Sequence, residues 1–292
     1  MKNVLMKYII TIILINSAIF SKPLRLKDDL GTVHHFLKAP TRVVSLAPNI
    51  TEMIYKLDAD DKLVGNTEYC YFPKEAKNVT KIGDMLTFNY EKIVELQPDL
   101  IFMTVEGNQK NAYDKLIDLE LKVFVSNPRD YKGIKKTFSD LGKIFGKEKL
   151  ATEIIADWDS TFHHIREETK KFEPRDVIIL VELNPIMVAG KNTFINSYIE
   201  NCNMINFAAD VEMNYPIFSR EVILERDPQI IVYPSSGKET IETLTEMYPE
   251  WNGLTAVKKG NVFFVDRDLY FRPGPRFIDA LYDFFSRIKK LY

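Results

Sequence analysis

A stretch of eleven residues occurs twice in this chain of 292. Glu91-Lys92-Ile93-Val94-Glu95-Leu96-Gln97-Pro98-Asp99-Leu100-Ile101 returns 130 positions later as Glu221-Val222-Ile223-Leu224-Glu225-Arg226-Asp227-Pro228-Gln229-Ile230-Ile231. Each copy reads as a short helix that starts at a capping residue, Asn89 or Ser219. It stops before a proline and passes into an apolar strand, Leu100 to Met103 or Ile230 to Tyr233. A helix-to-strand step is the building unit of an α/β domain, so two copies predict two similar lobes. Glu91 and Glu221 fall in the first turn of each helix. The body then carries a carboxylate at a matching place on each half, a pair suited to a two-fold partner.

The rest of the chain alternates in the same way. The first lobe reads as strand Arg42 to Leu46, helix Thr51 to Leu57, strand Lys62 to Gly65, helix Tyr90 to Leu96, strand Asp99 to Thr104, helix Asn111 to Leu119 and strand Leu121 to Val125. Helix Gly133 to Phe145 follows, and then Lys147 to Lys171 runs without proline or glycine, roughly 37 Å if helical throughout. The alternation restarts with strand Val177 to Leu183, helix Thr193 to Asn201, helix Arg220 to Arg226 and strand Gln229 to Tyr233. It continues through helix Glu239 to Met247, strand Asn261 to Val265 and helix Arg276 to Leu291. Strands alternating with helices predict parallel sheets covered on both faces. Nothing between the halves is a Gly/Ser or Pro-rich tether, so the long helix itself is the connection. The organisation expected is therefore an N-terminal lobe over 22–145, an inter-lobe helix over 146–172 and a C-terminal lobe over 173–292.

At 46% hydrophobic residues with 12% aromatics, this length suffices for two packed cores. A formal charge of −2 provides no basic footprint for nucleic acid. Lys2 and Lys7 precede an apolar run from Tyr8 to Phe20, the pattern of a cleaved signal peptide over 1–21, and the run is short for a membrane span. With no cysteine near the cut to accept a lipid, a soluble periplasmic protein is expected. Cys70 and Cys202 lie in different halves and are read as two separate thiols.

Enzyme motifs are missing where they would be needed. No G-x-G-x-x-G follows the first strand, and there is no P-loop, G-x-S-x-G elbow or H-E-x-x-H. The first strand instead runs into Ser45-Leu46-Ala47-Pro48-Asn49-Ile50-Thr51-Glu52, which with Asn49 as cap presents a helix N-terminus above the sheet. The histidines are two adjacent pairs, His34-His35 and His163-His164, and neighbours on a helix point about 100° apart, a poor start for a metal site. No catalytic residue, metal or cofactor is assigned. Loops rich in apolar and aromatic groups tell more: Tyr69, Tyr71 and Phe72; Met85, Leu86 and Phe88; Tyr215; and Leu269, Tyr270 and Phe271. They leave the sheets where a cleft between the lobes should open, and as a set they predict a grip on a large, partly apolar ligand. Tyr69, Met85, Phe88, Tyr215 and Tyr270, with Asn49, are the candidate ligand residues that these stretches supply.

These stretches resemble a known family. Arg42 to Glu52, Val64-Gly65 with Tyr69 to Pro73, Glu91 to Asp99, and Arg272-Pro273-Gly274-Pro275-Arg276 are similar, in order, to the periplasmic substrate-binding proteins of cobalamin, haem and ferric siderophore ABC importers. The resemblance implies two Rossmann-like lobes, one spine helix, a ligand cleft between the lobes and little closure on binding. It also implies that Glu91 and Glu221 dock into arginine pockets of a two-fold membrane permease. Within the family the cobalamin receptors are nearest, through Val64 to Pro73, Asn214-Tyr215-Pro216, Ser219-Arg220-Glu221, and Asp268 ahead of Arg272. There the positions of Tyr69, Tyr215 and Asp268 touch the corrinoid. This chain departs from them where tryptophans give way to Met85, Tyr215 and Leu269.

Haem receptors place an iron-ligating tyrosine where this chain has Phe72, and siderophore receptors offer arginines, for which Arg220 and Arg272 qualify. Cobalamin or another corrinoid is the first expectation, a ferric siderophore the second and haem the third. An α/β metal chelatase is the rival from another class. The expected protein is a monomeric, non-enzymatic receptor that delivers a metal chelate to an ABC importer.

Overall fold

The polar lead-in folds as an antiparallel hairpin, β1 (Ile19–Lys27) and β2 (Val33–Lys38), in the computed structural model, which describes residues 19–292. The expected leader lies outside the described residues up to position 18, and positions 19–21 already belong to β1. The first lobe then runs β3 (Val43–Ser45), α1 (Pro48–Lys56), β4 (Leu63–Asn66), α2 (Tyr90–Glu95), β5 (Leu100–Thr104), α3 (Lys110–Asp118), β6 (Val123–Ser126) and α4 (Tyr131–Ile144). Its four strands are parallel, in the order β4-β3-β5-β6.

Helix α5 (Glu148–Thr169) leads to the second lobe. That lobe begins with β7 (Asp176–Leu183), β8 (Ile186–Val188), α6 (Asn196–Asn201), β9 (Ile205–Asn206), α7 (Arg220–Arg226) and β10 (Ile230–Ser235). It ends with α8 (Ile241–Met247), α9 (Thr255–Lys258), β11 (Val262–Asp266), α10 (Arg267–Tyr270) and α11 (Phe277–Lys289). Its sheet runs β11-β10-β7-β8, with β9 also paired to β7. The pairings are parallel except β7 with β8, an antiparallel return too short to read from the sequence.

The sequence repeat is a repeat of topology. In both lobes the first strand, β3 or β7, lies beside the strand that follows the repeated helix, β5 or β10, and the last strand, β6 or β11, pairs outside it. The helix starts are fixed alike: Asn89 Oδ1 accepts from the Lys92 amide at 2.9 Å and Ser219 Oγ from the Val222 amide at 3.4 Å. The stops match too. Gln97 (φ 47°) and Asp227 (φ 43°) take the left-handed conformation just ahead of Pro98 and Pro228, turning the chain into the strand where a helix cannot continue. Outward faces correspond as well, with Glu91, Val94 and Glu95 exposed around buried Ile93, and Glu221, Leu224 and Glu225 exposed around buried Ile223.

Helix α1 corrects one expectation. Its cap is Ala47, without a side-chain hydrogen bond, and Pro48 takes the first position, where no N–H is missed. Asn49 is inside the helix and buried, and its Nδ2 donates across to the Pro273 carbonyl at 3.4 Å.

The cores are also arranged differently from the two expected. Smaller clusters lie on the outer side of each lobe, around Ile93, Ile101 and Leu116 in the first and Ile223, Leu244 and Trp251 in the second. The largest cluster is shared: it runs from Ile50, Phe102 and Phe138 through Trp158 and Ile165 of α5 to Tyr198, Ile230 and Phe284. A file of rings marks the crossing. Phe162 of α5 stacks on Tyr131 of α4 at 4.2 Å, Tyr131 on Phe277 of α11 at 5.6 Å, and Phe277 on Tyr198 of α6 at 4.9 Å. Helices α4 and α5 approach closely at Gly142, where an added Cβ would sit 2.6 Å from Ala151 Cβ. Among the described residues no helix is long and apolar enough to cross a membrane.

Candidate functional site

Loops leaving the carboxyl ends of both sheets face each other across a cleft of about 340 Å³, the place where open parallel sheets hold ligands. From the first lobe come Pro48, Asn49, Tyr69, Met85, Thr104, Glu106 and Gly107; from the second, Val181, Phe194, Ile195, Tyr215, Arg267, Asp268, Phe271, Arg272 and Pro273. A second cavity of about 570 Å³ adjoins it at the ends of β10 and β11, sharing Arg267 and Asp268 and bounded by Tyr71, Ser235, Ser236 and Glu239. The Tyr71 hydroxyl donates to the Asp268 carboxylate, so this contact between lobes stands at the edge where the two cavities meet.

A charged network pins the rim. Glu52 of α1, only 3% exposed, accepts from Arg276 Nε and Nη2, both at 2.8 Å, and from Arg272 Nη1 at 3.2 Å. Arg272 reaches on to Asp268 Oδ1 at 2.7 Å and to the Tyr69 carbonyl at 3.3 Å. Its guanidinium also lies 4.8 Å from the Tyr71 ring centre, and that of Arg276 lies 4.0 Å from the Phe72 ring. The loop carrying these arginines comes close enough to α1 that a side chain at Gly274 would meet Asn49 Cα at 3.3 Å. Thus one carboxylate of the first lobe holds two cations of the second.

A second charged group lies deeper along the first-lobe wall. Glu106 Oε1 accepts from Arg129 Nη1 at 2.6 Å, and Arg129 Nε donates to Asn127 Oδ1 at 3.0 Å. Packing around Glu106 raises the pKa of its carboxyl, against the pull of Arg129 and of the Tyr215 phenol beside it. Tyr215 is held well above the ordinary tyrosine range, by burial first and by the Glu106 charge second.

Of the residues singled out from the sequence, Asn49, Tyr69, Met85, Tyr215, Asp268 and Arg272 line this one cleft. Phe88 and Tyr270 do not, and the sequence expectation is corrected for both. Phe88 is 5% exposed and packs into the outer core of the first lobe, edge-on to Tyr90. Tyr270 is fully buried, its hydroxyl donating to Asp283 at 2.6 Å and its carbonyl accepting from Tyr198 at 3.1 Å. An aromatic in a loop points to cleft or core according to the backbone, which local sequence does not reveal. Phe271, named among the loop aromatics, lines the cleft as expected of that set, whereas sequence reasoning missed Glu106, Val181 and Phe194 as lining residues, and the pairing of Glu52 with the two arginines. The quoted motifs contained Glu52, Arg272 and Arg276, but not the partnership across 220 and 224 positions.

Glu91 and Glu221, on the repeated helices, are both exposed. The Ser219 hydroxyl lowers the pKa of the Glu221 carboxyl, keeping it ionised. His163 and His164 are exposed on α5, and Cys70 and Cys202 are separate buried thiols. Among the described residues no three His, Cys, Asp or Glu side chains gather as a ligand set for a metal ion.

Comparison with known proteins agrees with this geometry. The family model described as periplasmic binding protein matches residues 43–269. An uncharacterized ABC transporter substrate-binding lipoprotein, YvrC of Bacillus subtilis (strain 168), is 33% identical over 251 residues, 84% of this chain and 78% of that protein. A vitamin B12-binding protein of Photorhabdus laumondii is 26% identical over 247 residues, 85% of this chain and 87% of that one. The crystal structure of the periplasmic vitamin B12 binding protein BtuF of Vibrio cholerae matches with a TM-score of 0.76 at 26% identity, over 86% of this chain and 97% of that one. This chain belongs to the periplasmic binding protein family, a family of substrate-binding transport proteins and not of enzymes.

Proposed function

We propose that this protein is an extracytoplasmic receptor that captures cobalamin or a related corrinoid in the inter-lobe cleft and delivers it to an ABC importer. The observation that carries this reading is the cleft itself, with its aromatic and apolar walls, its few polar groups and its position at the strand ends of two similar lobes. The vitamin B12-binding relatives, aligned over most of both chains, support the corrinoid over the other chelates. Tyr69, Met85 and Tyr215 supply surface for the ring system, and Asn49, Asp268 and Arg272 supply polar contacts. Residues 1–21 act as a cleaved signal, and the receptor works as a monomer with 22–145 and 173–292 as lobes about the helix of 146–172. Glu91 and Glu221 dock it to the two halves of a permease dimer, as matching carboxylates on the repeated helices are suited to do.

Titrating the purified protein with cyanocobalamin, haem and ferric siderophores tests the reading. Saturable binding of cyanocobalamin is expected, with nanomolar affinity corresponding to about −12 kcal/mol. Saturable binding of haem or a siderophore alone would reassign the ligand, and binding of none would remove the function.

A further inference from the structure

Glu106 on the cleft wall draws its cation from outside the cleft. Arg272 is spent on Glu52 and Asp268. Arg129, the partner of Glu106, does not line the cleft; it lines a separate polar cavity with Lys191, Asn192 and Asn214. Glu106 therefore stands between its cation and the ligand space, its side chain 24% exposed, with Oε1 held by Arg129 at 2.6 Å. The other acid on the cleft wall is Asp268, and the remaining cation there is Arg267, exposed at the junction with the second cavity. A carboxylate accepts hydrogen bonds and donates none. Asp268 is already taken by Arg272 and the Tyr71 hydroxyl, so Glu106 is the acid that welcomes N–H donors from a ligand and repels ligand carboxylates, and repulsion of the wrong ligand is half of specificity.

Resting on the corrinoid-receptor reading, we propose that Glu106, set by Arg129 and Tyr215, is a specificity-determining residue that selects a chelate with primary amide substituents over the same chelate bearing carboxylates. The amide offers N–H to the Glu106 carboxylate beside its contact with Arg129. The acid offers only a second anion, brought to the face of Glu106 that Arg129 does not cover.

Two matched pairs of probes test this with the purified protein at pH 8: dicyanocobinamide against dicyanocobyrinic acid heptacarboxylate, and the diamide of iron protoporphyrin IX against iron protoporphyrin IX itself. In the wild type the amide member is expected to bind at least about tenfold tighter, a factor of ten being about 1.4 kcal/mol. Glu106→Gln is expected to cut that preference about tenfold, chiefly by admitting the carboxylate. Because this change frees Arg129, the double variant Glu106→Gln/Arg129→Gln is measured beside it and is expected to keep the reduced preference. Return of the double variant to the wild-type ratio would assign the effect to an unmasked arginine and overturn the proposal. An unchanged ratio in Glu106→Gln, with tight binding retained, would overturn the proposal while leaving the receptor reading intact. Failure of the wild type to bind any of the four probes would overturn the proposal, and failure to bind cyanocobalamin as well would remove the receptor reading with it.

Discussion

Replacing Glu52 with alanine tests whether the rim network holds the lobes together or merely decorates them. The Glu52 side chain is 1% exposed, and those of Arg272 and Arg276 are 11% and 19% exposed. Removing the carboxylate deletes three charge-assisted contacts of 2.8–3.2 Å and leaves two guanidinium groups in a poorly solvated place, Arg272 with Asp268 and the Tyr69 carbonyl and Arg276 with only the Asp268 carbonyl at 3.3 Å. Truncating one partner of a buried ion pair costs about 3–5 kcal/mol, because the charge left behind keeps its desolvation penalty. At roughly 2–4 °C per kcal/mol for a chain of this size, the melting temperature is expected to fall by about 6–20 °C. Urea denaturation followed by far-UV circular dichroism measures the change, with the slope of the transition checked against wild type so that a broken two-state transition is not read as lost stability. Glu52→Gln, which keeps the shape and one of the two acceptor oxygens but loses the charge, should fall between. A Glu52→Ala protein within about 1 kcal/mol of wild type would refute the reasoning, since it would mean that water already satisfies the arginines.

The docking proposal predicts that Glu91→Ala/Glu221→Ala leaves cyanocobalamin affinity within about twofold while transport into cells falls; undiminished uptake by the double variant would contradict it. Gly142→Ala places a Cβ 2.6 Å from Ala151 Cβ, so it should force α4 and α5 apart and cost about 1–3 kcal/mol in chemical denaturation, whereas a neutral effect would show the helices slide freely. Glu239 sets a pH dependence. Hydrogen bonds from the Ser235 hydroxyl first, then from backbone amides, lower its pKa from 4.5 to about 2. Its folded pKa lies below the unfolded one, so its contribution is fully present above about pH 4.5 and fades as pH drops toward 2. The difference in melting temperature between wild type and Glu239→Gln should hold steady above about pH 4.5 and shrink from there toward pH 2, and a constant difference across that lower range would argue against these bonds.

What could be read from the sequence was local. The helix Arg220–Arg226 matches its expected limits, and α2 starts at Tyr90 as expected, because Asn89, Ser219 and the prolines act within a few residues of the backbone they direct. The long helix was legible from an uninterrupted run, and it ends one or two residues inside the expected limits. Tertiary demands hid the rest. Asn49 looks like a cap but spends its amide on Pro273, and Pro48 makes a capping side chain unnecessary. Strand β8 is three residues long and exists because β7 is there to pair with it. Glu106 follows the end of β5 by two residues, a place where strand-end loops supply site groups, and that position was the available signal for it. Its pairing with Arg129 needed the fold.

The hydrophobic seam under α5 bears on how cargo gets in and out. A jaw motion that parted the halves there would bring Tyr131, Phe277 and Tyr198 into water at about 25 cal/mol for every Å² of apolar area uncovered. At the mouth the Tyr71 hydroxyl meets Asp268 through a side-chain tip that swings on its own bonds without disturbing any core, while Arg272 and Arg276 stay anchored on Glu52. Loading and unloading should therefore proceed by turning a light latch on a stiff frame, and the work of prising cargo loose falls to whatever grips the frame from outside.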